Sequence, residues 1–112
     1  MSNNGPKIVV LGATCVDMAF RCDEVPTEGQ AVPGSELCYT ATGPGPNQAL
    51  QATRCGCQVQ LISKVGGGPF GPWVKETLRR MGIHTDYMVT AEAMNTGVDV
   101  TVVCNRSGDN AW

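Results

Sequence analysis

The sequence predicts an α/β domain built on a parallel sheet. Short apolar runs rich in β-branched residues stop at glycines, and segments with helical spacing stand between them. The 14 Gly and 7 Pro cluster in the connections. A strand-helix-strand-helix-strand order belongs to a parallel sheet, and frequent Gly and Pro between apolar runs argue against a helical bundle. A length of 112 residues suits one domain.

Lys7-Ile8-Val9-Val10-Leu11 is a continuous apolar run that stops at Gly12, as expected of a buried parallel strand. Residues Ala13 to Asp17 are expected to form the loop leaving its carboxyl end, where open α/β sheets receive ligands. From Met18 to Thr42, Pro26, Gly29, Pro33 and Gly34 interrupt any helical period, so short strands or a hairpin are expected. Gly43-Pro44-Gly45-Pro46 reads as a turn, followed by a helix from Asn47 to Cys55 with Pro46 at its first position. Ala49 and Ala52 give that helix a small-residue face for close approach to a sheet.

Val59 to Val65 reads as the next strand, and a second helix runs from about Pro72 to Met81. Val74, Leu78 and Met81 share a face of it, Glu76 and Arg80 form an i,i+4 pair, and Gly82 is a stop signal. Asp86 to Val89 is a short strand, and Gly97 to Cys104 alternates apolar and polar residues as a half-exposed strand does. Asn105 to Asn110 is turn chemistry, with Ala111 and Trp112 as the start of a returning strand. A hairpin cut there leaves an open edge, so the chain reads as a piece of a larger domain.

Apolar residues make up 42% and charged residues 16%, enough to bury a core. The net charge is −2, with two each of Trp, Tyr and Phe and no basic run. That composition offers no stripe to track phosphates and no stacking platform, which argues against nucleic-acid binding. The polar N-terminus and the short Ile8–Leu11 run fit neither a secretory signal nor a membrane span, so a soluble cytoplasmic protein is expected. Without a secretory signal the six cysteines are expected to be reduced. Cys55-Gly56-Cys57 has no second pair at zinc-ligand spacing and reads as small residues at a helix end.

Gly66-Gly67-Gly68-Pro69-Phe70-Gly71 lacks the Gly-Lys-Ser/Thr ending of a phosphate-binding loop and the spacing of a dinucleotide fingerprint. It reads as a tight strand-to-helix connection, with Phe70 as a hydrophobic staple and Gly71 as the cap. Gly43-Pro44-Gly45-Pro46-Asn47 is the stronger ligand candidate, because glycines admit close approach and a helix start offers N–H groups. Asn47 carries a donor and an acceptor, which suits vicinal hydroxyls, and it equally suits a helix cap. Asp17, as a carboxylate, would accept bonds from hydroxyls; its structural alternative is a turn or capping Asp. His84, the single histidine, lies in a connecting loop and reads as a surface residue.

These segments resemble the ribokinase-like (PfkB) carbohydrate kinases. Gly12-Ala13-Thr14-Cys15-Val16-Asp17 resembles the family's opening Gly-x-x-x-x-Asp, and Val25-Pro26-Thr27-Glu28-Gly29-Gln30 its Leu-Pro-x-x-Gly-Glu. Thr42-Gly43-Pro44-Gly45-Pro46-Asn47-Gln48-Ala49 is similar to Gly-Gly-Lys-Gly-Ala-Asn-Gln-Ala. Val65-Gly66-Gly67-Gly68-Pro69-Phe70-Gly71 is similar to Val-Gly-x-Asp-x-Phe-Gly, and Thr96-Gly97 matches the Thr-Gly that opens a later lid strand. The matches keep the family's order from Lys7 to Trp112.

The resemblance implies an α/β three-layer sandwich, partial here, with a small β-sheet lid. It makes residues 1–112 the N-terminal part of the kinase domain, with lid strands near 18–41 and 97–112 and the C-terminal ATP-binding part absent. Within those ranges it places the lid near Met18–Arg21, Glu36–Ala41 and Gly97–Cys104. It implies that the complete enzyme transfers the ATP γ-phosphate to a sugar hydroxyl with Mg²⁺, often helped by a monovalent cation. Asp17, Gly43 and Asn47 would contact sugar hydroxyls and Gly45 would permit close backbone approach. A homodimer through the lid strands is also implied.

The departures are Cys15 where the family usually has Asn, Pro44 in place of Lys, Pro46, and Gly68 in place of Asp. Pro44 removes a cation and a donor together. The family's late Asp-Thr-x-Gly-Ala-Gly-Asp motif, with its catalytic base, does not occur in the chain. Phosphoryl transfer needs that base and positioned charge around the phosphates, so no catalytic or metal-binding residue is assigned and the chain alone is expected to be inactive. The alternative function is a non-catalytic module that binds a sugar or dimerises through its lid strands. A nucleotide binder of the P-loop kind is disfavoured by the missing Lys-Ser/Thr.

Overall fold

The structure, a computed structural model, describes residues 4–111. In chain order the elements are β1 (Lys7–Leu11), β2 (Cys15–Cys22), β3 (Ser35–Thr42), α1 (Pro44–Arg54), β4 (Gln58–Gly66), α2 (Phe70–Arg80), β5 (Met88–Ala91), β6 (Gly97–Cys104) and β7 (Asn110–Ala111). They form two compact units, the first made of the chain up to Val16 with Ala41–Gly97, the second of Asp17–Thr40 with the chain from Val98 on.

The first unit holds a three-stranded sheet in the order β1-β4-β5, parallel throughout. Register follows the apolar phase of each strand. Val10 lies opposite Leu61 and Ser63 opposite Met88, all on one face with Val59 and Val65. Both helices pack on β4, and α1 also reaches β1. Ala49, Val74, Leu78 and Ile83 complete this core at 1% exposure or less. Each of the Val, Leu and Ile side chains contributes about 1.5–3 kcal/mol by leaving water. The pleat puts Val9, Leu11, Ile62 and Val89 on the opposite face, where all are exposed. The described residues thus supply one helical layer on the sheet, where a three-layer sandwich has two.

Helix starts differ from the expectation drawn from proline and glycine placement. α1 begins at Pro44 with Gly43 as its N-cap, so Pro44 and Pro46 both lie in the first turn. The fixed φ of proline suits those positions, and neither loses a helical hydrogen bond there. α2 begins at Phe70 with Pro69 as its N-cap, so Phe70 and Gly71 are helical rather than staple and cap. Gly71 is where α2 meets the sheet: a Cβ there would collide with the Gly66 carbonyl oxygen. Met81 is the C-cap and is exposed, so the buried stripe of α2 is Gly71, Val74 and Leu78.

Glu76 accepts hydrogen bonds from Arg79 at 2.9 and 2.8 Å and from Arg80 at 3.1 Å. Donation by Arg79, then by Arg80, holds its carboxyl below the usual carboxylate range. Cys55 caps the end of α1 and Gly56 (φ 89) turns the chain toward β4, so the Cys-Gly-Cys segment is a helix end. β5 falls two residues later than expected, because Met88 to Ala91 are the residues that pair with Ser63 to Gly66.

The second unit is a four-stranded sheet in the order β3-β2-β6-β7. The hairpin expected after Cys104 forms: Val102 and Val103 pair antiparallel with Ala111 and Asn110, around a turn with Gly108 at φ 73. Cys22 and Cys104 are buried, while Leu37, Tyr39, Val98 and Val100 are exposed. β2 begins at Cys15, so Asp17 lies on a strand and not in the loop predicted for it.

Two outcomes follow for stability. Gly71→Ala should cost about 3 kcal/mol, read as a lower urea midpoint, because overpacking against a backbone carbonyl cannot be relieved by a rotamer change. A carboxylate with a depressed folded pKa adds stability above its unfolded pKa and loses it as pH falls through the folded value. Glu76→Gln should therefore remove a small part of the acid-side loss of stability, seen in melts as a shallower slope once pH falls below the ordinary glutamate value of about 4.3.

Candidate functional site

The candidate residues divide between the two units, and each group is built differently. In the first unit the chain leaves β1 through Gly12, Ala13 and Thr14, and the first turn of α1 rests on that bend. The Gly45 N–H donates to the Ala13 carbonyl at 3.1 Å. A Cβ on Gly45 would stand 2.7 Å from the Gly12 carbonyl oxygen, and one on Gly43 would stand 2.5 Å from that of Ala13. Gly43 also has φ 124, a conformation that L side chains rarely adopt. Both glycines are buried, and the close approach that Gly45 permits is to the chain's own Gly12.

The bend is locked from β4. Ser63 Oγ donates to the Gly12 carbonyl oxygen at 2.6 Å and lies 2.6 Å from Thr14 Oγ1. With the serine proton committed to Gly12, Thr14 is the donor in the second bond. Ser63 is 8% and Thr14 7% exposed, so neither finds easy replacement by water. Leu11, Gly12, Ala13, Thr14, Ile62 and Ser63 line an open depression at this end of the sheet.

The first turn of α1 does not present the free N–H groups expected of it. Pro44 and Pro46 have none, Gly45 spends its own on Ala13, and Asn47 N–H bonds Gly43 at 3.0 Å. The turn is therefore a poor anion site, since anion binding at helix starts uses those donors. The polar groups left at this turn are side chains. Asn47 is exposed and is not the cap. Its Oδ1 accepts a long bond of 3.4 Å from Thr42 Oγ1, and its amide nitrogen has no partner among the described residues.

In the second unit Asp17 sits on β2, half-buried, beside β6. Its Oδ1 accepts a hydrogen bond from Thr101 Oγ1 at 2.9 Å. Cys104, at the end of β6, has its thiol held below the usual range by the amide and hydroxyl of Ser107, with the Arg106 amide adding to this. The sequence reading overlooked Thr14, Ser63 and Thr101. Thr101 alone left a signal, as the polar phase it shares with Asp99 in an alternating strand.

The Gly66–Gly71 segment carries no ligand geometry. Gly66 N–H donates to buried Thr96 Oγ1 at 2.9 Å, and Gly67 N–H to the carbonyls of Ala91 and Met94 at 3.1 and 3.0 Å. It is the tight connection the sequence predicts. His84 is exposed and pairs its backbone with β4, through Leu61 and Val59. Among the described residues no cluster of His, Cys, Asp or Glu could hold a metal ion. None of their helices is long and apolar enough to cross a membrane.

A parallel sheet built of βα units, a glycine bend supporting a helix start, and a second small sheet make this an α/β chain of two units. The chain belongs to the pfkB family carbohydrate kinases, whose family model matches residues 6–111. It is 33% identical over 104 residues to the ribokinase of Bacillus subtilis (strain 168), covering 93% of this chain and 35% of that protein. It is 27% identical over 104 residues to the deoxyribokinase of Salmonella typhi, covering 93% of this chain and 34% of that one. The crystal structure of ribokinase from Cryptococcus neoformans in complex with ADP superposes with a TM-score of 0.80 at 30% identity, over 96% of this chain and 33% of that one. Arabidopsis thaliana ribokinase complexed with ribose and ATP gives 0.85 at 25% identity, over 96% and 35%. The chain spans about a third of the length of these relatives.

Ser63→Ala should leave the Gly12 carbonyl and the Thr14 hydroxyl short of a partner. A loss of about 1–3 kcal/mol is expected in denaturant titration, together with faster amide exchange at Gly45.

Proposed function

We propose that this chain is the N-terminal, sugar-binding part of an ATP-dependent carbohydrate kinase of the ribokinase type. Residues 1–112 carry the acceptor side of the reaction, and the second sheet is the lid. Asp17 and Asn47 bind sugar hydroxyls, and Gly43 and Gly45 shape the bend that leads into α1. One observation carries the reading: the first turn of α1 has no free N–H for an anion, but the Asn47 side-chain nitrogen has no partner among the described residues. That chemistry suits a neutral polyol and not a phosphate. A ribose complex of a relative with the same fold supports it.

In the complete enzyme the γ-phosphate of ATP, with Mg²⁺, passes to a sugar hydroxyl. The base and the phosphate-binding groups come from outside these residues, because the chain has no Gly-Ala-Gly-Asp segment. Its own residues orient the acceptor hydroxyl, and orientation is a large share of what such transfer requires. A pairing of two copies through lid strands fits the exposed Leu37, Tyr39, Val98 and Val100.

Titration calorimetry of the chain with ribose tests the reading. Saturable heat is expected, weakened about 10- to 100-fold by Asp17→Ala, as for loss of a bond to a charged acceptor. Unchanged affinity in that variant would remove Asp17 from the site.

A further inference from the structure

We infer that Thr101 is a positioning residue for the sugar: its hydroxyl holds the Asp17 carboxylate in one orientation, with Oδ2 left for the ligand. The inference rests on the reading of Asp17 as a sugar ligand. Thr101 and Asp17 are 84 residues apart in sequence, on adjacent strands β6 and β2. Thr101 Oγ1 donates to Oδ1 at 2.9 Å, and both residues are half-buried. Among the described residues the Asp17 side chain makes no other hydrogen bond, so Oδ2 is unengaged.

An ionised carboxylate is acceptor-only, so a group meeting Oδ2 must be a donor, as a hydroxyl is. An aspartate on a half-exposed strand otherwise samples several rotamers, and fixing one before binding spares the ligand that entropy. Thr is well suited to the task. Its branched Cβ restricts χ1, so the hydroxyl that does the fixing is itself held. The bond also ties a strand near the start of the chain to one near its end, so the carboxylate is set only when β6 lies beside β2.

The test compares the unmodified chain with Thr101→Val, which replaces the hydroxyl by a methyl, and Thr101→Ser, which keeps it. Two readouts are taken: the three-bond couplings that report Asp17 χ1, and ribose affinity by calorimetry. A single Asp17 rotamer is expected in the unmodified chain and in Thr101→Ser, and an averaged one in Thr101→Val. Affinity should fall about tenfold in Thr101→Val, the effect of one modest hydrogen bond, and return in Thr101→Ser. Asp17 couplings that are the same in Thr101→Val and the unmodified chain overturn the positioning role. A held rotamer in an unmodified chain that gives no heat with ribose overturns the sugar reading and, with it, the role of Thr101 toward the sugar, leaving Thr101 a structural partner of Asp17. If Thr101→Val does not fold, the Thr101 hydroxyl proton of the unmodified chain decides: slow exchange with a coupling to the Asp17 carboxyl carbon supports the role, and its absence overturns it.

Discussion

The first unit depends on one contact, the seating of the first turn of α1 on the bend that follows β1. It is made of backbone. The Gly45 N–H reaches the Ala13 carbonyl at 3.1 Å, and no Cβ fits at Gly43 or Gly45 facing the Gly12 and Ala13 carbonyls. Because the contact has almost no side-chain content, its tolerance is small: any added atom must move a helix or a strand end. Ser63 then fixes the bend from the neighbouring strand, so β1, β4 and α1 are held through one pair of carbonyls.

That packing has a chemical result. Proline at two of the first three helical positions, and an internal partner for the third, leave the helix start without its usual donors. The helix keeps its positive end there, but the polar groups exposed at it are those of the Asn47 side chain. Pro44, which stands where the family usually has lysine, accounts for one of the missing donors.

The two units differ in how they are stabilised. In the first, Val59, Leu61, Val74 and Leu78 are buried between a sheet and two helices. The second has four strands, with Cys22 and Cys104 its buried side chains among the described residues, and polar contacts between its strands and turns. Asp17 with Thr101, Asn105 with Asp23 and the exposed Arg21–Glu36 pair are such contacts. Exposed pairs of this kind contribute little individually. A sheet held this way opens more easily than a packed core.

The sequence by itself determined a parallel sheet with helices between its strands, and the hairpin after Cys104, because each rests on local periodicity and on stop residues; the strand order β1-β4-β5 came from the tertiary structure. Five motifs in family order made the kinase class legible as well. Helix starts were misjudged at Pro44 and Phe70, since proline and glycine mark a boundary without saying on which side of it the helix lies. Asp17 was legible as a candidate, but its place on β2 and its bond to Thr101 were not, and neither was the Ser63 lock on Gly12. Those features join residues roughly half a chain or more apart, and only tertiary structure decides which hydroxyl meets which carbonyl or carboxylate.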